Sequence, residues 1–350
     1  FRLTVIAWAV AVVFGGLIVP GRFDRGVPRK RLTCMSATDI PSVRWFPPID
    51  VNGADVDPSG TEDASVMPLF PLGASYLPYT SPVLNIFEPR YRTMYNDILF
   101  NGARRFCVTN VDPKTGRLAE VGVVFYLNEL KEVSEQTQDR VKYVGQHSVI
   151  GRVRLLKVLN PSVAATRESY LKVEVAAVED IDEPADEKSQ GELSDLFLEL
   201  VDIQKQLAEE PRFTDAVKTS INFSPGSSSD DKGMWGTIQL WQQFLEQRTA
   251  VIGQKMQREI QQGVASFLKD NSVRDELVNA RGEIRLEDLP EPLLQEIRNI
   301  QTRYRDELDA LDTDPVGSYF QAMLQSQSHC ERMQVFRAAL EKEQKRLQAR

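Results

Sequence analysis

The scarce reactive side chains of this sequence are two histidines and three cysteines. A Cys107 thiol activated by the His147 imidazole would be a nucleophile–base pair of the kind that drives covalent catalysis. The local sequence argues otherwise. Cys107 lies in Phe106-Cys107-Val108, where cysteine behaves as a small buried apolar residue, and Gln146-His147-Ser148 reads as a loop histidine. Cys34, Cys107 and Cys330 form no C-x-x-C pair and leave one thiol over, and His147 and His329 stand 182 positions apart, so neither a disulfide framework nor a zinc site is expected. Acidic neighbours such as Asp306 and Glu307 read as solvated helix faces and not as an acid–base pair. The nearest approach to a phosphate-binding loop, Gly226 to Gly233, ends in Lys232-Gly233, the wrong order for G-x-x-x-x-G-K-[ST]. G-x-S-x-G and H-E-x-x-H are also missing. The expectation is a protein with no catalytic residues, no cofactor and no metal.

The elements that carry these residues follow from composition and period. The 350 residues are 42% apolar and 26% charged, which is globular composition with room for two or three domains. Residues 1–50 hold seven basic against three acidic side chains, a balance of +4 that leaves −12 for the rest of a chain of net charge −8. An acidic body of that size counts against nucleic acid as principal partner. Residues 3–20 carry no charge, and Arg-rich, hydroxyl-dotted sequence follows, so residues 1–20 read as a signal-peptide core or anchor and 21–64 as a transit-like segment and linker. That order resembles the bipartite leaders of algae, with delivery to the plastid (chloroplast) expected. The alternative is a secreted or endoplasmic-reticulum protein, whose sequon would be Asn222-Phe223-Ser224. A membrane contact is expected only through residues 3–20 if they stay attached.

From residue 65 to 182 the period is two. Val121 to Leu130 is a β-forming run, Val153 and Leu155 alternate with Arg152 and Arg154, and Leu171, Val173 and Val175 alternate with Lys172 and Glu174. Short turns between them predict an antiparallel, barrel-like β unit, interrupted by a helix from Pro89 to about Phe100. Residues 179–192 hold seven acids against one lysine and read as a solvated hinge. From 192 to 350 the period is helical. Ile238, Trp241, Leu245, Ile252, Met256, Ile260, Val264 and Phe267 fall on one stripe, predicting a helix over 236–269. Two more follow, 292–311 and 316 to the C-terminus, the second opened by Asp314-Pro315.

Met67 to Met94 carries a linked set: Pro68-Leu69-Phe70-Pro71-Leu72, Pro78, then Leu84-Asn85-Ile86-Phe87-Glu88-Pro89-Arg90-Tyr91-Arg92. This set resembles the LON domain, the amino-terminal substrate-recognition module of ATP-dependent Lon proteases. Arg105-Phe106, Val121-Gly122, Arg152-Val153-Arg154, Glu179-Asp180 and Glu331-Arg332 agree in order, so the resemblance runs from about 65 to 345. The ATPase and serine-lysine peptidase modules of full Lon enzymes have no counterpart in the sequence, and the expected form is a stand-alone LON-domain protein. The resemblance implies an α+β fold, a PUA-like antiparallel β-barrel subdomain followed by a long-helix C-terminal subdomain. It also implies a non-catalytic module in protein quality control that binds unfolded or client polypeptide and hands it to a separate protease.

The signature residues Pro68, Phe70, Pro71, Phe87, Glu88, Pro89, Arg90 and Tyr91 have a mainly structural explanation: prolines that fix φ at strand ends and a helix start, apolar core, and an acid at a helix N-terminus. The candidate polypeptide contact is the helical stripe at Trp241, Phe244 and Leu245. The alternative function is RNA binding, since the implied β unit belongs to a superfamily with RNA binders. Its one candidate surface is Arg104, Arg105, Arg152, Arg154 and Lys157.

Overall fold

The computed structural model describes residues 42–181, 186–270, 289–310 and 318–349. The leader and the Asp314-Pro315 helix start lie outside them. Two compact units emerge, the first taking in 42–241 and 318–349, the second 242–310. The unit boundary therefore cuts through the helical region.

The first unit is built on six strands: β1 (Ala64–Leu72), β2 (Val83–Ile86), β3 (Arg105–Asn110), β4 (Val121–Glu132), β5 (Tyr143–Val158) and β6 (Leu171–Val178). Their order is β2-β5-β4-β3-β1-β6, and β5 pairs with β6 as well, so five strands close a barrel and β2 extends it from β5. Closure removes the sheet edges that a five-stranded open sheet would expose. The expected antiparallel barrel is corrected in one pairing: β1 and β3 run parallel, Leu69 beside Cys107 and Leu72 beside Asn110. Parallel neighbours need a crossover. The crossover here is the signature stretch itself, β2 and helix α1 (Pro89–Phe100), the helix lying where the sequence predicts it.

Alternation sends β-strand side chains to two faces. Inward go Leu69, Cys107, Val124, Val153, Leu155, Val173 and Val175, which fill the barrel. Outward go Phe70, Phe106 and Phe125, over which α1 lays Tyr91 and Tyr95. The Phe70 and Tyr91 rings are 3.9 Å apart, Tyr95 and Phe106 5.6 Å, Phe106 and Phe125 5.4 Å.

The expected linker is partly a piece of this unit. The Phe46 amide donates to Leu118 O (2.7 Å), Arg117 donates to the carbonyls of Trp45 and Phe46 (2.9 and 3.0 Å), and Phe46 and Ile49 pack on the barrel core.

Short helices α2 (Ser134–Thr137) and α3 (Val163–Thr166) sit between strands. Helix α4 (Glu187–Gln206) follows, N-capped by Asp186, which accepts from the Ser189 amide. Then come α5 (Val217–Ser220), α6 (Met234–Asp270), α7 (Glu291–Ala310), α8 (Ser318–Gln325) and α9 (His329–Gln348). The last predicted helix is thus two. The break falls at Ser328, the N-cap of α9, which accepts from the Glu331 amide while the Glu331 side chain accepts from the Gln327 amide. The start of α6 belongs to the first unit, where Trp241 packs on Phe197, Phe213 and Phe336. In the second unit Ile260, Val264 and Phe267 of α6 meet Leu289, Leu293 and Ile297. No helix among the described residues is long and apolar enough to cross a membrane.

Candidate functional site

Cys107 and His147 are on opposite sides of the barrel wall. Cys107 points inward and is fully buried, and burial pushes its thiol up to about 12. His147 lies outside among Phe106, Phe125 and Tyr95, and burial pulls it down to about 4. The Tyr95 hydroxyl donates to His147 Nε2 (2.7 Å), since Nδ1–H faces the Pro82 carbonyl (3.3 Å). Gly145 makes the room, as a Cβ there would stand 2.7 Å from His147 Cε1. These two residues belong to two different packing problems. Among the described residues no group of three His, Cys, Asp or Glu gathers as a metal site.

The signature residues also build the wall. Pro68 lies on β1 at Ala64–Pro68, which pairs with β6 on one side and with no described strand on the other. A proline there lacks the N–H that would template further pairing. Phe70 and Tyr91 are core, and Pro89 starts α1 with Glu88 at its N-cap. Arg90 pairs with Glu88 (2.8 Å) and lies over the Tyr91 ring. Pro71 is half-buried beside Thr109, and Phe87 is exposed next to the Arg92 guanidinium, which donates to its carbonyl (2.9 Å).

A cleft of about 510 Å³ opens at the barrel mouth, where the inward faces of the strands run out to the surface. Leu69 ends the packed core on β1, and Met67, Ser65 and Asp63 follow at steps of two toward the opening. Arg105 stands two residues before buried Cys107 on β3 and takes the same inward face. Val124 and Val153 make the floor, Pro78, Tyr79 and Trp235 the walls, Glu179 and Asp180 part of the rim.

Two local distortions shape this mouth. Val124 pairs with Gly151 and Phe125 with Val149, so Ile150 is an extra residue in β5. Such a bulge re-aims a side chain. Ile150 is 44% exposed and lines the cleft. Beside it Tyr79 sits at φ 62, a left-handed conformation rare for aromatic residues, held by its amide donating to Val149 O (2.9 Å).

The back of the cleft is a buried ionic latch. Arg152 Nη2 and Arg332 Nη2 both donate to Asp180 Oδ1, the former at 2.6 Å. Arg152 Nη1 also donates to the carbonyls of Leu324 and Ser326 (2.9 and 2.7 Å) at the C-terminus of α8. Two guanidiniums against one carboxylate leave an excess positive charge, and the negative end of the α8 dipole offsets it. Both lie over the Trp235 ring, 5.7 and 4.2 Å from its centroid. Arg332 is fully buried, and removing one member of such a network typically costs about 3–5 kcal/mol.

This latch changes two expectations. The acidic stretch is not all solvated hinge, because Asp180 is a counterion. The basic cluster offered for RNA does not stand together as a surface: Arg152 is consumed in the latch, Arg154 pairs with Glu120 (3.3 Å), and Lys157 donates to Asp57 O (2.9 Å). Only Arg104 and Arg105 stay exposed. Of the helical stripe, Trp241 and Phe244 are buried, 3% and 4% exposed, and Leu245 is half-buried. Met67, Ile150 and Trp235 carry no signal of a site in the sequence: Met67 sits within the motif, and a bulge has no period to betray it.

The family model of the ATP-dependent protease La (LON) substrate-binding domain matches residues 66–230, from β1 to the loop before α6. Over those residues the chain is similar to that family's domain. Most residues of the mouth fall inside the match, whereas Asp63, Ser65 and Trp235, and Arg332 of the latch, lie outside it. Among solved structures, the Lon N-terminal domain protein from Xanthomonas campestris is 21% identical, with 47% of this chain and 92% of that chain covered and a TM-score of 0.30. The N-terminal domain of the Mycobacterium avium complex Lon protease is 15% identical, covering 41% and 70%, also at 0.30. No curated protein matches the chain in sequence.

Proposed function

We propose that this protein is a non-catalytic polypeptide-recognition module that takes an extended client segment at the mouth of its barrel. The observation that carries the reading is the Ile150 bulge, which presents an apolar side chain to a cleft walled by Met67, Pro78 and Trp235. A half-exposed isoleucine beside a strained tyrosine costs stability without a ligand and gains contact area with one. The family description, a substrate-binding domain, supports the same reading.

The test is an anisotropy titration of the protein against a labelled, permanently unfolded polypeptide. Saturable binding is expected, weakened about tenfold or more by Ile150→Glu, which places an uncompensated charge against the apolar wall. Unchanged affinity in that variant would move the site elsewhere. Unfolded or client protein in quality control, with a separate protease downstream, is the proposed partner set. Plastid delivery by the leader is proposed on its composition, and a fluorescent fusion of residues 1–60 found in the medium would overturn it.

A further inference from the structure

Resting on the polypeptide reading, we infer that the mouth is selective for client segments in which a lysine or arginine is set among apolar residues. The charges around the cleft divide into those already used and those left over. Arg152 and Asp180 are used: the latch with Arg332 and the α8 carbonyls satisfies them. Asp63, Glu179 and Arg105 are left over, since none of the three side chains has a hydrogen bond or ion pair among the described residues, and all three are exposed. Two carboxylates against one guanidinium leave the rim at −1. The chain as a whole carries −8.

The apolar parts match this sign. A lysine or arginine has a three- to four-carbon stem that lies on apolar surface while its head stays wet. Met67, Ile150 and Trp235 offer the surface, and Asp63 and Glu179 receive the head at the rim. An acidic side chain has a shorter stem and meets the two carboxylates as like charge, so the cleft discriminates by repulsion as well as attraction.

The experiment titrates the full chain with two labelled peptides of identical apolar sequence, one with lysines and the other with glutamates at the polar positions. The lysine peptide is expected to bind about fivefold to tenfold tighter at low salt, the order that two exposed charge contacts provide, with the margin shrinking as salt is added. Asp63→Lys with Glu179→Lys should reverse the preference, and Asp63→Asn with Glu179→Gln should abolish it. Both positions are exposed, and a thermal melt checks that the variants fold. Equal binding of the two peptides, tighter binding of the glutamate peptide, or a preference that survives the reversal would overturn the inference and leave the polypeptide reading standing. Binding of neither peptide, with no binding of unfolded polypeptide either, would overturn both.

Discussion

The two faces of the barrel wall use the same strands for opposite ends. On the outer face Phe70, Phe106 and Phe125 are covered by Tyr91 and Tyr95, and even the one histidine there is satisfied by a tyrosine and a carbonyl. On the inner face the core of Leu69, Val153 and Val175 gives way toward the mouth to Met67, Ser65, Asp63 and Arg105, side chains with room or charge to spare. A finished surface marks the fold, and an unfinished one marks where something else fits. The most recognisable motif of the sequence belongs to the finished face.

The two faces differ most in what truncating a side chain costs. Phe106→Ala should cost about 3–5 kcal/mol in urea unfolding, as for any fully buried aromatic, whereas Ile150→Ala should cost under about 1 kcal/mol, with its loss showing in polypeptide affinity instead. Equal costs would mean that Ile150 is core.

Acid acts on the outer face with a smaller effect. The His147 value of about 4 in the fold lies below its ordinary 6.5, so between these pH values the unfolded chain binds the extra proton. Stability from this group is complete above pH 6.5 and falls as pH drops toward 4, by roughly 1 kcal/mol per unit. His147→Gln should flatten that part of a stability-against-pH curve while leaving client binding at pH 7 intact. A slope that survives the substitution would assign it to the carboxylates.

Much of the fold was legible because period and proline are local signals. The alternation of Val153 and Leu155 with two arginines, and the Pro89 start of α1, translate directly into strand and helix. The parallel β1–β3 pair was not legible, because nothing in either strand records its neighbour's direction. The break at Ser326–Ser328 was hidden by the apolar face that Met333, Phe336 and Leu340 continue. Its reason lies in space, since it frees the Leu324 and Ser326 carbonyls for Arg152, far away in sequence. The site was least legible of all. Arg152 and Arg154 read as a matched outward pair, and only the packing of α8 and Trp235 over one of them separates their roles.

On the proposed reading, clients dock at the mouth and not on the outer face. Photo-crosslinking tests it most directly, with a photoreactive residue replacing Ser65 in one chain and Phe100, 91% exposed at the end of α1, in another, each mixed with labelled unfolded polypeptide. Crosslinks are expected from position 65 that unlabelled polypeptide competes away, and none above background from position 100. Competed crosslinks from position 100 with silence at 65 would contradict it.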